Sequence, residues 1–108
     1  MTDPVPFGID SVVDRSDEIR IVARGEVDIG TEAALSDAVS AVLGDSTGRP
    51  VVLDVRQVSF MDSSGLRAVL RSRDLVMSAG RKFRLAVSRG AVQKLFDAAG
   101  VSSWFEYE

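Results

Sequence analysis

The sequence predicts a mixed α/β domain: a β-sheet of about five strands, opening with an antiparallel hairpin and continuing through β-α-β crossovers, with three helices packed on it. Three observations lead there. Ile19 to Arg24 alternates apolar with polar residues, Val51 to Val55 is a short β-branched run, and three amphipathic stretches of helical period separate the remaining apolar segments.

Residues 1–6 contain two of the three prolines and read as a flexible lead-in to one domain spanning 1–108. Phe7 to Asp14, with Ile9, Val12 and Val13, is a first strand, and Arg15-Ser16-Asp17-Glu18 a polar turn. In the next strand Ile19, Ile21 and Ala23 face one way and Arg20, Val22 and Arg24 the other, so the two strands pair as a hairpin. Gly25 suits a bend at that strand's end. Asp28 or Thr31 starts a helix over about Glu32 to Leu43, with Ala34, Leu35, Ala38, Val39 and Val42 on one stripe. Gly44 stops it, and Asp45 to Arg49 is a loop.

Val51 to Val55 reads as a strand buried on both faces, followed by a polar link at Arg56-Gln57. A helix from Leu66 to Met77 places Leu66, Val69, Leu70, Val76 and Met77 on one face. Arg73 falls in the middle of that face; an aliphatic stem along the core edge with the guanidinium in water would accommodate it. Asp54 lies inside the buried run, where a carboxylate needs a partner unless it sits near a strand edge. Phe83 to Val87 is another strand. Ser88 is an N-cap for a helix from Ala91 to Ala99, in which Val92, Leu95, Phe96 and Ala99 keep helical spacing, and Gly100 ends it. Trp104 to Tyr107 is a short last strand with Trp104 and Phe105 as packing residues.

Composition excludes several kinds of chemistry. The chain has no Cys and no His, so disulfides, thiol catalysis, Ser-His-Asp arrangements and imidazole-held metals are all ruled out. No stretch reaches the length of a membrane span and no signal-peptide pattern opens the chain, which fits the cytoplasm. Net charge is −3, unevenly spread: residues 1–54 carry 4 Arg against 11 acids, and residues 55–108 carry 9 basic against 5 acidic residues. Arg67, Arg71, Arg81, Lys82, Arg84 and Arg89 fall on different elements without interleaved aromatics. They read as solvated faces rather than a nucleic-acid surface.

Between the central strand and the second helix stands Phe60-Met61-Asp62-Ser63-Ser64-Gly65-Leu66. Asp62 and Ser63 are both N-cap types, and Gly65 in the first turn lets another surface approach closely. A phosphate placed at such a helix start would meet free backbone N–H groups and the positive end of the dipole.

That string, FMDSSGL after an apolar strand and before an amphipathic helix, resembles the signature of the STAS family of anti-sigma factor antagonists. The likeness runs from about Ile19 to Tyr107: Gly25-Glu26-Val27-Asp28, Val51 to Val55 and Ala91 to Val101 each resemble a family segment. Family members often carry a further helix after the last strand, and this sequence ends at Glu108 before one.

The resemblance implies a STAS-like fold and a switch protein without enzymatic activity or cofactor, a free monomer. Its partners would be an anti-sigma factor that is also a serine kinase and a phosphatase that resets the switch, with no direct contact to nucleic acid or membrane. Ser63 is then the phosphorylated residue. Asp28 is a residue needed around phosphorylation and partner contact, Asp62 shapes the turn, and Met61, Ser64, Gly65 and Arg67 lie on the docking surface. Other readings keep the fold but change the job: a scaffold or accessory subunit in a stress-signalling or lipid-transport complex, or a nucleotide-sensing module with its groove beside the signature. An enzyme using Asp28, Asp62 and Ser63 to hold magnesium is the least supported by the residues.

Overall fold

Ile21, Leu53 and Leu85 lie side by side on three neighbouring strands, all fully buried, and they mark the centre of the molecule. The computed structural model of the protein describes residues 6–44 and 47–108. Residues 1–5 of the expected lead-in, and Asp45-Ser46 of the expected loop, lie outside them. The elements in order are β1 (Gly8–Asp14), β2 (Ile19–Val27), α1 (Glu32–Ala41) with a 3₁₀ turn at Val42–Gly44, β3 (Val51–Met61), α2 (Ser63–Ser78), β4 (Phe83–Ala86), α3 (Ala91–Ala99), a 3₁₀ turn at Ser102–Trp104, and β5 (Glu106–Tyr107). The sheet runs β1-β2-β3-β4-β5; the first pair is antiparallel and the other three are parallel. This is the expected mixed architecture.

Side chains from all three helices meet one face of the sheet. Leu35 and Val39 of α1, Leu66, Val69 and Val76 of α2, and Val92 and Phe96 of α3 share a core with Ile21, Leu53 and Leu85. Phe105 closes its edge, stacked on Phe96 with ring centroids 5.4 Å apart. Burial of each large aliphatic side chain stabilises the fold by roughly 1.5–3 kcal/mol.

Several boundaries differ from those read in the sequence, each for a physical reason. β2 does not end at Gly25: that residue takes φ 86° at a bulge, where the register against β3 shifts, and the strand resumes to Val27. β3 likewise runs through Arg56-Gln57 to Met61. Beyond Asp54 it pairs only with β2, because β4 is four residues long, and exposed polar side chains are tolerated at such an edge. On α1, Ala34 is exposed and Ser36 is buried, its hydroxyl donating back to the carbonyl of Ala33 at 3.2 Å. The N-cap of α3 is Gly90, not Ser88. Met77 and Trp104 are about half exposed rather than packed, whereas Arg81 is buried: its Nε donates to the Arg49 carbonyl at 2.7 Å. Arg73 donates from Nε to the Trp104 carbonyl at 3.1 Å, tying α2 to the second 3₁₀ turn.

The register places Arg20, Val22, Val52, Asp54, Arg84 and Ala86 on the sheet's other face. Asp54 is in the centre, not at a strand edge, and it has partners. Arg56 reaches it through Nη2 at 2.7 Å and Nε at 3.0 Å, and Arg20 through Nη1 at 3.1 Å. Arg20 is also paired with Glu18 and Glu108. Burial pushes the Asp54 carboxyl up, but hydrogen bonds from the Arg56 side chain and backbone, with the charges of Arg56 and Arg20, reverse that and hold it below its ordinary value of 3.8. Because the folded-state value is the lower one, this stabilisation is complete above the unfolded carboxyl's range and is lost as pH falls through the folded value. Denaturant unfolding is therefore expected to show stability dropping below about pH 4. In Asp54→Ala, that acid limb is flatter, and stability at neutral pH is lower by about 1–2 kcal/mol, since the hydrogen bonds from Arg56 and Arg20 are lost while Arg20 keeps Glu18 and Glu108.

Candidate functional site

β2 and β3 end together, Val27 opposite Met61. One residue later the chain must turn from strand into helix, and Asp62 makes the turn. Its backbone is still extended (φ −104°, ψ −170°), and its N–H donates to the Val27 carbonyl at 3.3 Å. Its carboxylate accepts from the N–H groups of Ser64 at 2.9 Å and Gly65 at 3.1 Å. Asp62 is thus the N-cap and α2 begins at Ser63, three residues earlier than the apolar pattern indicated.

Gly65 explains how closely the helix sits. A Cβ there would lie 2.5 Å from the Val27 carbonyl oxygen and 2.5 Å from Met61 Cγ. The close approach expected from a glycine in this turn is made by the protein's own β2.

The consequence for the two adjacent serines is opposite. Ser64 is buried, with its hydroxyl accepting from Arg67 Nη2 at 3.4 Å, while Ser63 is exposed. Met61 and Gly65 are also buried, so of the residues expected on the docking surface Met61, Ser64 and Gly65 pack the junction and Arg67 is exposed. The expectation of free N–H groups for a phosphate needs the same revision, since the Asp62 carboxylate already holds two of them.

Asp28 follows the last residue of β2, at the same end of the sheet. Its Oδ1 accepts from Gly30 N–H at 2.9 Å, its N–H donates to Thr31 Oγ1 at 2.9 Å, and its carbonyl accepts from Glu32 N–H at 2.8 Å. Asp28 therefore braces the loop into α1, while Thr31 is the N-cap residue. Arg67, on the exposed side of α2, reaches Glu32 of α1 through a single Nε–Oε2 contact of 3.4 Å.

Three residues at this end escaped the sequence reading. Glu32 was seen only as a helix start. Ile29 is 76% exposed and Phe60 46% exposed, one from each of the segments that carry Asp28 and Ser63. A clue existed for Ile29: an aliphatic residue between Asp28 and Gly30, in turn chemistry, has no strand or helix face to bury it.

Among the described residues no three acidic side chains gather as a metal site, and Asp28 and Asp62 each hold backbone N–H groups. A cavity of about 220 Å³ lies between Arg73, Met77, Phe83 and Trp104, and one of about 100 Å³ between Arg56, Ser59, Ser88 and Gly90. Neither is lined by Asp28, Asp62 or Ser63. What the corner offers chemically is an accessible primary hydroxyl in the first helical position, with acids and apolar side chains around it.

Residues 11–108 match the STAS domain. A curated relative, the anti-sigma F factor antagonist of Lysinibacillus sphaericus, is 33% identical over 81 residues, covering 74% of this chain and 68% of its own. The fold resembles that of an anti-sigma factor antagonist from Mycobacterium paratuberculosis, with TM-score 0.83, 23% identity, and coverage of 99% of this chain and 89% of that one. It also resembles the anti-sigma factor antagonist SpoIIAA in its unphosphorylated form, with TM-score 0.69, 22% identity, and coverage of 95% and 88%.

Two substitutions test how the junction is held, each read by denaturant unfolding. Gly65→Ala forces the new methyl against the Val27 backbone and is expected to cost about 1–3 kcal/mol. Asp62→Ala removes the cap and is expected to cost about 1 kcal/mol, whereas Asp62→Asn, which keeps an acceptor, retains most of it.

Proposed function

Because the chain belongs to the STAS domain family, we propose that it is an anti-sigma factor antagonist switched by phosphorylation of Ser63. The observation that carries this reading is the contrast between neighbouring hydroxyls: Ser63 open to solvent, Ser64 buried within α2's first turn. A relative 33% identical to this chain over 81 residues is an anti-sigma F factor antagonist.

In this reading the unmodified protein docks on an anti-sigma factor with the end of the sheet that carries Asp28, Ile29, Phe60 and Ser63. Exposed Ile29 and Phe60 supply the apolar anchors, since large side chains desolvated near the centre of an interface carry most of its energy. Docking frees the sigma factor. The partner is also a serine kinase: the γ-phosphoryl of ATP passes to Ser63 Oγ, the hydroxyl gives up its proton, and ADP leaves. A phosphatase hydrolyses the Ser63 ester and restores the hydroxyl. Such a cycle belongs in the cytoplasm, and this protein's own part in it is non-catalytic.

Charge explains why the modified form lets go. Phosphorylation adds about −1.5 to −2 charges at neutral pH. They arrive beside the carboxylate of Asp62, at the sheet end that also carries Asp28. Each 1.4 kcal/mol lost at the interface weakens it about tenfold, so repulsion and bulk at its centre remove the complex without unfolding the antagonist.

Incubation with a candidate anti-sigma kinase and ATP, followed by mass mapping, is expected to place one phosphate on Ser63, none on Ser64, and none on the Ser63→Ala protein. Phosphate on another residue, with Ser63 unmodified, would overturn the reading. Ile29→Glu and Phe60→Glu are each expected to weaken binding to that partner more than tenfold while leaving the thermal midpoint of the free protein close to wild type.

A further inference from the structure

We propose that Arg67 is the internal receptor of a phosphate on Ser63: once the phosphate is in place, the guanidinium leaves Glu32 and Ser64 and pairs with it. The inference rests on Ser63 being the modified residue and adds how the protein accommodates that charge.

Position comes first. Ser63 and Arg67 are one helical turn apart on α2, the i, i+4 spacing at which side chains meet, with the anionic member on the N-terminal side as the better orientation requires. Ser63 is exposed and the Arg67 side chain is 61% exposed, so nothing buried has to move for them to meet.

Supply of donors comes second. A phosphate at a helix start ordinarily takes the first backbone N–H groups. Here the Asp62 carboxylate already holds those of Ser64 and Gly65. Two of the first-turn N–H groups are thus already taken, and a side-chain donor would supply what they no longer can. The segments that lead into and out of this corner, residues 25–48 and 57–70, contain a single basic residue, Arg67, against the acids Glu26, Asp28, Glu32, Asp37, Asp45 and Asp62.

Availability comes third. Arg67 is held by two long contacts of 3.4 Å each, to Glu32 Oε2 and Ser64 Oγ, and the first is a solvent-exposed ion pair. A phosphate dianion offers three acceptor oxygens and about twice the charge of the Glu32 carboxylate, and a guanidinium can grip it with two parallel N–H donors. The exchange breaks the bridge between α1 and α2 that Arg67 now makes. Phosphorylation is thus registered on both helices, not only as charge on the surface.

The test inserts phosphoserine at position 63 during translation of the full chain, so that it does not depend on any kinase accepting the protein. The second ionisation of the phosphate, ordinarily near pH 6, is followed by phosphorus NMR. An adjacent cation favours the dianion, so the value is expected to be lower with Arg67 present than in Arg67→Gln by about half a unit or more. The groups facing it, Asp28, Glu32 and Asp62, act alike in both proteins, as does the helix dipole. In the unsubstituted phosphoprotein the Arg67 Nε–H resonance is expected to move in step with that titration, and Glu32→Gln, which removes the competitor, to lower the phosphate value further. Equal phosphate values with and without Arg67, or an Arg67 resonance indifferent to the titration, would overturn the proposal. A kinase that ignores Ser63 would instead count against the proposed function.

Discussion

The carbonyl of Val27 is the fixed point of this molecule's functional end. It accepts the N–H of Asp62, and it occupies the space that any side chain at position 65 would need. Those two contacts set where β3 stops and how close the first turn of α2 lies to β2. They also decide which of two neighbouring hydroxyls faces solvent. Two residues before Val27, Gly25 takes φ 86°, a conformation that side-chain-bearing residues avoid, and there the register against β3 shifts, the unpaired extra residue being Ser59 of β3.

Two kinds of charge pairing coexist in the fold, and their difference follows from burial. Asp54 is enclosed and gripped by Arg56 and Arg20 through several short bonds, so its carboxylate has no alternative partner. It joins β2 to β3 on the face of the sheet opposite the core shared with the three helices. Arg67 and Glu32 meet at a single long contact in solvent, where an ion pair contributes about 0–1 kcal/mol. The first pairing is structural because breaking it strands a buried charge; the second is exchangeable because water compensates either partner.

Much of this was legible from residue order. Alternation in Ile19 to Arg24, the β-branched run at Val51 and the spacing of Leu66, Val69 and Val76 are local signals, and each led to the right element. Motif resemblance pointed to Ser63. What stayed hidden depended on neighbours distant in sequence. Gly25 looks like a terminator unless one knows that β3 runs alongside to hold Glu26 and Val27 in the sheet. Arg81 looks like a surface cation until the Arg49 carbonyl is placed beside it. Ser64 and Gly65 look available for docking until β2 is laid against them. Arg73 could not be placed from sequence because its partner, the Trp104 carbonyl, lies 31 residues away; Asp54 has one partner, Arg20, 34 residues away, while the other, Arg56, stands two residues along in what reads as a polar link.

Ile29 carries a further consequence. Its side chain is three-quarters exposed and sits in a loop braced by Asp28 and Thr31 rather than by itself. Replacement of such a residue is nearly silent for folding. Substitution at this position can therefore remodel the exposed surface at this end of the sheet while the fold beneath it stays unaltered.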